Sequence, residues 1–200
     1  MKSIIIVDDF YANPDDVRFT ALNAEYESGE GKNWPGRDSA QEFRPQNVVD
    51  DISSIVGEPL VAKPMNKCGH FRTTKLGEHG SQDVHFDPNP GLIWVGVCYL
   101  TPKEQPQGGT KFWRHKEYGW EEAPTLEEGM KHGISDTMAM KKFFETDGKD
   151  RSKWEELMNI PFRYNRLVMF RPWKFHSNGE WFGTDDETAR LVQLFFFHTP

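Results

Sequence analysis

The sequence has 200 residues, enough to bury one substantial core, and this length fits a single domain more easily than two. Hydrophobic residues make up 36% of the chain and include fifteen Phe and seven Trp, which excludes a largely disordered protein. The formal net charge of −7 argues against a general affinity for nucleic acid.

The first ten residues, MKSIIIVDDF, contain an apolar stretch that ends at Asp8 and is too short for the core of a signal peptide. No later apolar run reaches the length of a membrane span. The two cysteines, Cys68 and Cys98, can form one disulfide bridge at most, and we interpret them as reduced thiols in apolar surroundings. These features predict a cytoplasmic protein.

Residues 1–58 are expected to form an N-terminal layer of one strand and two helices. The segment SIIIVDDF at 3–10 predicts a short strand. The segment NPDDVRFTALNAEY at 13–26 predicts a helix, with asparagine at the N-cap and proline in the first turn. The segment NVVDDISSIVG at 47–57 predicts a second helix that ends at Gly57.

Residues 59–200 are expected to form a β-rich core, because short apolar segments alternate with turn residues. These segments are LVAKP, CGHFRTT, GLIWVGVCYL, TKFW, NRLVMF and ARLVQLFFFH. Between about 114 and 160 the sequence is charged, and SDTMAMKKFFE and RSKWEELMN are candidate helices. We expect a helical insertion here that forms a lid or wall of the substrate site. No internal repeat divides the chain, so residues 1–200 are expected to form one domain.

A candidate metal site begins at His85 and Asp87, which lie two positions apart ahead of an apolar run. In an extended chain such side chains point to the same side, so an imidazole nitrogen and a carboxylate oxygen can reach one point. The spacing by itself is common by chance. The alternative interpretation is the solvated start of a strand.

The C-terminal region offers a third ligand and a cation. His176 lies between two strand-like segments, where its imidazole can meet the first pair if the two ends of the β region close over one another. Two histidines and one carboxylate occupy one face of an octahedral ferrous ion and leave three positions open. Arg190 begins the last apolar strand and needs an anionic partner if it points inward. The alternative is a rim arginine paired with Asp185 or Asp186.

In this order, the motifs resemble the Fe(II)/2-oxoglutarate-dependent dioxygenases, and within them the branch similar to prolyl 4-hydroxylases. The matching elements are His85-x-Asp87, the strand VGVCYL leading to Gly108–Phe112, His176 and Arg190. The resemblance covers the stretches from about 67 to 113 and from about 159 to 198. Four separate features in the right order make it far more specific than any one of them.

The resemblance implies a mainly β fold, a double-stranded β-helix of the jelly-roll or cupin-like kind, with the metal inside the mouth of the barrel. It implies that His85, Asp87 and His176 ligate Fe(II). It also implies that Arg190 binds the distal carboxylate of 2-oxoglutarate, because a bidentate guanidinium suits that planar anion.

Other residues stay open as contacts of the cosubstrate. Many relatives have a tyrosine in the strand ahead of the first histidine, and CGHFRTT has none. We therefore expect Thr73, Thr74 or Tyr99 to supply a hydroxyl. Arg166 and Arg171 are rival cations for the role of Arg190.

For the reaction, the resemblance implies that 2-oxoglutarate and O2 yield succinate and CO2 while an organic substrate is hydroxylated, with ascorbate as an optional reductant. Related halogenases lack the carboxylate at the position of Asp87, so hydroxylation is the expected outcome. The substrate is expected to be a peptidyl residue, an amino acid or a small metabolite, with nucleic acid the least favoured partner. The oligomeric state stays open. The alternative function is a cupin-like module that binds a metal or a small acid without turnover.

Overall fold

The computed structural model describes residues 2–27, 34–63, 67–80, 82–102 and 105–200. The strands are β1 (Ile4–Val7), β2 (Arg37–Asp38), β3 (Val61–Ala62), β4 (Phe71–Thr74), β5 (Leu92–Tyr99), β6 (Gln105–His115), β7 (Trp154–Phe162), β8 (Leu167–Phe170), β9 (His176–Asn178) and β10 (Arg190–His198). The helices are α1 (Pro14–Leu22), α2 (Val48–Val56), α3 (Leu126–Lys131) and α4 (Asp136–Met140). A π-helical segment (Lys141–Thr146) and two 3₁₀ turns (Asp147–Lys149 and Arg151–Lys153) follow α4.

The strands form two antiparallel sheets. In the larger sheet the order is β1-β8-β5-β10-β4-β2, and β3 pairs with β10. In the smaller sheet the order is β7-β6-β9, and a bridge between His85 and His176 adds residues 83–87, the His85 segment, beside β9. The prediction of a mainly β protein is therefore confirmed.

The central strand β10 shows how the core is divided. Leu191 and Phe195 belong to an apolar cluster that includes buried residues of α1 and α2. Val192 and Leu194 belong to a second cluster, which joins β5 and β8 of the larger sheet to β6 and β7 of the smaller one. Because successive strand residues point to opposite faces, β10 contacts the helices on one side and the smaller sheet on the other.

The two N-terminal helices lie close to where the sequence predicted them. Helix α1 ends at Leu22, four residues early, because Tyr26 forms a β-bridge with Ser39. Helix α2 ends at Gly57, whose φ of 79° is the left-handed conformation that favours glycine. Both cysteines are buried and unbridged, as predicted. None of the helices among the described residues combines the length and apolar character that a membrane crossing requires.

The prediction of a helix at RSKWEELMN is wrong. Only Arg151–Lys153 is helical, as a single 3₁₀ turn, and the chain then enters β7. Strand β7 pairs with β6, and Trp154, Ile160 and Phe162 are buried. This pairing and burial override the local helix propensity of the charged residues. SDTMAMKKFFE is helical, since it contains α4 and the π-helical segment.

Candidate metal centre

Backbone pairing brings the two predicted histidine ligands together. The amide of His85 donates to the carbonyl of His176 at 2.9 Å, and the amide of His176 donates to the carbonyl of His85 at 2.8 Å. This reciprocal pair places the centroids of the imidazole rings 4.4 Å apart. Residues that are distant in sequence therefore form one site.

Hydrogen bonds to the backbone select the same tautomer for both rings. Nδ1 of His85 lies 2.8 Å from the carbonyl oxygen of Asp83, and Nδ1 of His176 lies 2.8 Å from that of Lys174. Because a carbonyl only accepts, Nδ1 carries the proton and Nε2 keeps its lone pair. Burial and the neighbouring His85 lower the pKa of His176 to about 4, against the opposing effect of Asp87. The imidazole of His176 is therefore neutral near pH 7, as a metal ligand must be.

Asp87 completes the donor set. Its amide donates to the carbonyl of Pro172 at 2.7 Å, and its Oδ2 lies 3.5 Å from Nε2 of His176. The ligand atoms of His85, Asp87 and His176 all lie within 4.8 Å of one another. Two imidazoles and one carboxylate match the facial triad of non-haem Fe(II) sites, so these residues fit the metal.

A second group of side chains also has its ligand atoms within 4.8 Å of one another, but it suits a metal less well. It consists of His115, Glu117 and Asp147. The carboxylate of Asp147 already lies 2.9 Å from Nε2 of His115 and 2.9 Å from Nζ of Lys142. Because the ammonium of Lys142 supplies a positive charge there, we interpret this group as a structural ion pair.

The metal-site residues line a cavity of about 540 Å³ between the two sheets. Its inner wall is apolar and consists of Val95, Val97, Phe170, Leu194 and Phe196. Trp34, Lys67, Arg72 and Trp181 also line it, and sequence reasoning missed the first three of these. The sequence could have indicated Arg72, because alternation along CGHFRTT places it on the same face of β4 as Thr74, one of the hydroxyls considered for the cosubstrate.

Arg190 points into the space between the sheets, where 1% of its surface is exposed. Its Nε donates to the carbonyl of Gly108 at 2.7 Å, and its Nη2 donates to that of Gly109 at 3.5 Å. Within the described part of the chain, no carboxylate forms an ion pair with it. Burial lowers the pKa of Arg190 to about 10, so the guanidinium stays charged at neutral pH. The space between the sheets therefore contains a buried cation that lacks an anion among these residues, and Arg190 lies behind the lining of the cavity rather than in it.

The alternatives to an inward-facing Arg190 do not fit the structure. Asp186, one of its predicted rim partners, pairs instead with Arg37 at 2.8 Å and Lys75 at 2.9 Å. The two rival cations are also paired elsewhere. Arg166 donates to Asp8, and Arg171 donates to Glu58.

Of the three hydroxyls considered for the cosubstrate, Tyr99 lies beside Arg190. The guanidinium carbon is 5.9 Å from the centroid of the Tyr99 ring, and the hydroxyl of Tyr99 lies 2.7 Å from that of Thr110, which lines the cavity. The structure does not bring Thr73 to this place, because Thr73 lines a separate cavity of about 190 Å³ beside α1. Thr74 is on the face of Arg190 but donates to Pro35 at 3.4 Å. Thr110 was missed, although it belongs to the motif GGTKF.

The two glycines of that motif allow the strands to approach closely. A Cβ at Gly108 would lie 2.3 Å from the ring of Phe182, and one at Gly109 would lie 1.7 Å from the carbonyl oxygen of Ile160. Neither position has room for a side chain. Because Gly108 and Gly109 lack Cβ atoms, their carbonyl groups can reach the guanidinium of Arg190.

Replacement of Gly109 by alanine is expected to lower the free energy of unfolding by about 2–3 kcal/mol, because backbone must move to accept the methyl group. Gly133 is a useful control, since it has a φ of 69° and a methyl group added there would meet nothing within 4 Å. Alanine at this position should cost only about 1 kcal/mol of left-handed strain. Urea unfolding measures both values, and a smaller loss for Gly109→Ala than for Gly133→Ala contradicts the prediction.

The sequence matches one protein family, and the fold is similar to that of several solved structures. The sequence profile of a family of unknown function, DUF6445, matches residues 1–197. No curated protein matches the sequence significantly. Several solved structures are similar in fold. HygX from Streptomyces hygroscopicus, solved with nickel, 2-oxoglutarate and hygromycin B bound, is 10% identical with a TM-score of 0.57 over 98% of this chain and 83% of HygX.

Two further structures show the same likeness. The non-haem alpha-ketoglutarate-dependent carbocyclase SnoK from nogalamycin biosynthesis is 13% identical with a TM-score of 0.58, over 99% of this chain and 80% of SnoK. A prolyl hydroxylase from Trichoplax adhaerens, in complex with a peptide fragment of hypoxia inducible factor, is 14% identical with a TM-score of 0.51, over 98% and 84%. The predicted resemblance to 2-oxoglutarate oxygenases, with a prolyl hydroxylase among the neighbours, is thus confirmed at the level of fold.

Proposed function

This chain belongs to the DUF6445 family, and we propose that it is an Fe(II)- and 2-oxoglutarate-dependent dioxygenase that hydroxylates an organic substrate. The observation that carries the proposal is the convergence of His85, Asp87 and His176 within 4.8 Å at the wall of a cavity. The same three residues are proposed as the metal ligands. The protein would be a single domain over residues 1–200.

The fold supports this proposal through its strand order. Strands β8, β5, β10 and β4 face a smaller sheet that contains β7, β6, β9 and the His85 segment. Two facing sheets of this order suit a double-stranded β-helix, with the proposed ligands at one end of the space between them. We propose this finer description of the mainly β fold.

When bound, Fe(II) would supply the redox chemistry by which O2 oxidises 2-oxoglutarate and the substrate. The chain's own contribution would be to present the Nε2 atoms of His85 and His176 and the carboxylate of Asp87 to the ion. The Nδ1 hydrogen bonds keep both rings in this orientation. All three residues also line the cavity, from which the cosubstrate would reach the ion.

Arg190 is proposed to bind the distal carboxylate of 2-oxoglutarate. A buried guanidinium without an anionic partner is costly, and a planar carboxylate can accept two parallel hydrogen bonds from it. Tyr99 and Thr110 are proposed to orient the same group through their paired hydroxyls. Both side chains are shielded from solvent, because Tyr99 and Arg190 are at most 1% exposed.

The substrate is proposed to be a small molecule or a peptide. The cavity of about 540 Å³ falls within the range of typical small-molecule pockets. Its lining includes the indole rings of Trp34 and Trp181, so apolar groups can bind. The guanidinium of Arg72 also lines it but is paired with Asp38 at 2.6 Å. Structures similar in fold contain hygromycin B or a peptide fragment.

A two-step experiment tests the activity. Fe(II) and 2-oxoglutarate are added without oxygen, and a weak visible charge-transfer band is expected from the chelate. Admission of O2 should then release succinate, whereas the Zn(II)-loaded protein should release none. Absence of the band contradicts a cosubstrate site at this metal.

A second outcome would favour the alternative function. If the band appears but succinate is not formed across a broad screen of substrates, the chain is better described as a module that binds a metal or a small acid without turnover.

A further inference from the structure

The long connection between β6 and β7 contacts the His85 segment rather than the cavity. None of the described residues between 116 and 153 lines the cavity, so the structure gives no support to the predicted lid. Two residues of this connection instead contact positions 83 and 84, immediately ahead of His85. We propose that Arg151, acting through Asp83, is a positioning residue for His85. This inference rests on the proposed function, because it requires His85 to bind the metal.

Asp83 makes two contacts that link Arg151 to the imidazole. Its backbone carbonyl lies 2.8 Å from Nδ1 of His85 and accepts the proton that fixes the tautomer. Its carboxylate accepts from Nε of Arg151 at 2.5 Å and from Nη2 at 2.9 Å. A two-point contact restricts rotation of the Asp83 side chain and its peptide group. Loss of Arg151 therefore frees the carbonyl to turn away from His85.

The position of Arg151 is itself restricted. Its guanidinium carbon lies 5.3 Å from the centroid of the Trp113 ring. The indole nitrogen of Trp113 donates to the hydroxyl of Ser177 at 2.9 Å, and Ser177 directly follows His176. Arg151 thus rests on a side chain that also contacts the strand of the second histidine.

A backbone contact next to Arg151 supports the same role. The amide of Val84 donates to the carbonyl of Gly148 at 2.9 Å. A Cβ at Gly148 would lie 2.1 Å from the carbonyl oxygen of Phe143 and 2.5 Å from that of Val84. The connection therefore approaches the His85 segment so closely that position 148 has no room for a side chain. Arg151 and Gly148 together fix residues 83 and 84.

The effect of Arg151 is expected on metal binding more than on stability. Its side chain is 46% exposed and that of Asp83 is 32% exposed, and ion pairs of this kind contribute little to folding. Groups that orient metal ligands, in contrast, typically change metal affinity about 10–100-fold when they are removed. The two quantities can therefore be separated by measurement.

The test measures Co(II) binding by the full chain for wild type, Arg151→Gln and Arg163→Gln. Arg163 is a matched control, because its side chain is 45% exposed and pairs with Asp8, which is 34% exposed. We expect the dissociation constant for Co(II) to rise about 10-fold in Arg151→Gln, with a changed visible Co(II) spectrum. Arg163→Gln should resemble wild type in both. Arg151→Lys, which keeps one charged donor, should recover part of the affinity.

A thermodynamic cycle with Asp83→Ala checks that the two residues act together. If Arg151 acts through Asp83, the double variant should bind Co(II) no more weakly than the weaker single variant. Additive losses overturn the inference, as does an Arg151→Gln protein with wild-type affinity and spectrum. Failure of wild type to bind Co(II) would instead count against the proposed function itself.

Discussion

Replacement of His176 by alanine is expected to abolish succinate release and to weaken Co(II) binding by at least about 100-fold. Loss of a group that only orients a metal ligand typically lowers metal affinity about 10–100-fold, and loss of the ligand itself should have at least the larger effect. His176 is one of three donors, and it is 7% exposed and neutral near pH 7. No other described histidine ring lies against the ring of His85, so no neighbour can replace it. Metal titration and succinate assays measure the two effects.

An exposed histidine provides the control. His132, the residue that follows α3, contacts the rings of Tyr118 and Trp120 and lies outside the cavity lining. His132→Ala should retain metal affinity and succinate release. The assignment of His176 as a ligand is wrong if His176→Ala retains both as well.

The proposed metal site could be suggested from sequence because its chemistry depends on residue type and order. His85 and Asp87 share a face by strand alternation, and His176 follows at a place where a strand begins. Their proximity could not be derived in this way. It depends on the antiparallel bridge between His85 and His176, which forms only when the chain between them has folded into β5 to β8.

Two differences between the sequence-based expectations and the structure also depend on long-range packing. Charged residues at RSKWEELMN favour a helix locally, yet Ile160 and Phe162 bury their side chains between the sheets, and β6 supplies the hydrogen-bonding partners. Thr73 is on the predicted strand, but its register with Leu191 turns it toward α1. A shift of one residue exchanges the two faces of a strand, and sequence alone does not specify the register. Arg151 was not recognised for a different reason, because its contact with Asp83 joins residues 68 positions apart in the sequence.

Replacement of Arg190 by methionine is expected to weaken 2-oxoglutarate binding by about 100-fold or more. Two hydrogen bonds from a charged donor contribute about 1.5–3 kcal/mol each, and about 1.4 kcal/mol corresponds to a factor of ten. Arg190 has no anionic partner among the described residues, so its interaction with the cosubstrate carboxylate is not replaced by another contact. Titration of the Fe(II)-loaded protein with 2-oxoglutarate, without oxygen, measures the loss.

Without cosubstrate, the same substitution should leave the free energy of unfolding unchanged or raise it. A buried charge that lacks a partner opposes folding, and apolar side chains of similar volume often replace such groups without loss. The carbonyls of Gly108 and Gly109 lose a donor, which limits the gain. The free energy of unfolding should therefore stay the same or rise, whereas the affinity for 2-oxoglutarate should fall.

Arg171 distinguishes this outcome from a general effect of removing a buried arginine. It is 3% exposed, but it pairs with Glu58 and its guanidinium carbon lies 4.0 Å from the centroid of the Trp94 ring. Arg171→Met should destabilise the fold and leave 2-oxoglutarate affinity unchanged, because the partners of Arg171 are all protein groups. Arg190→Met should show the reverse pattern. If Arg190→Met unfolds more easily while its 2-oxoglutarate affinity stays that of wild type, the buried cation is structural and the cosubstrate does not bind to it.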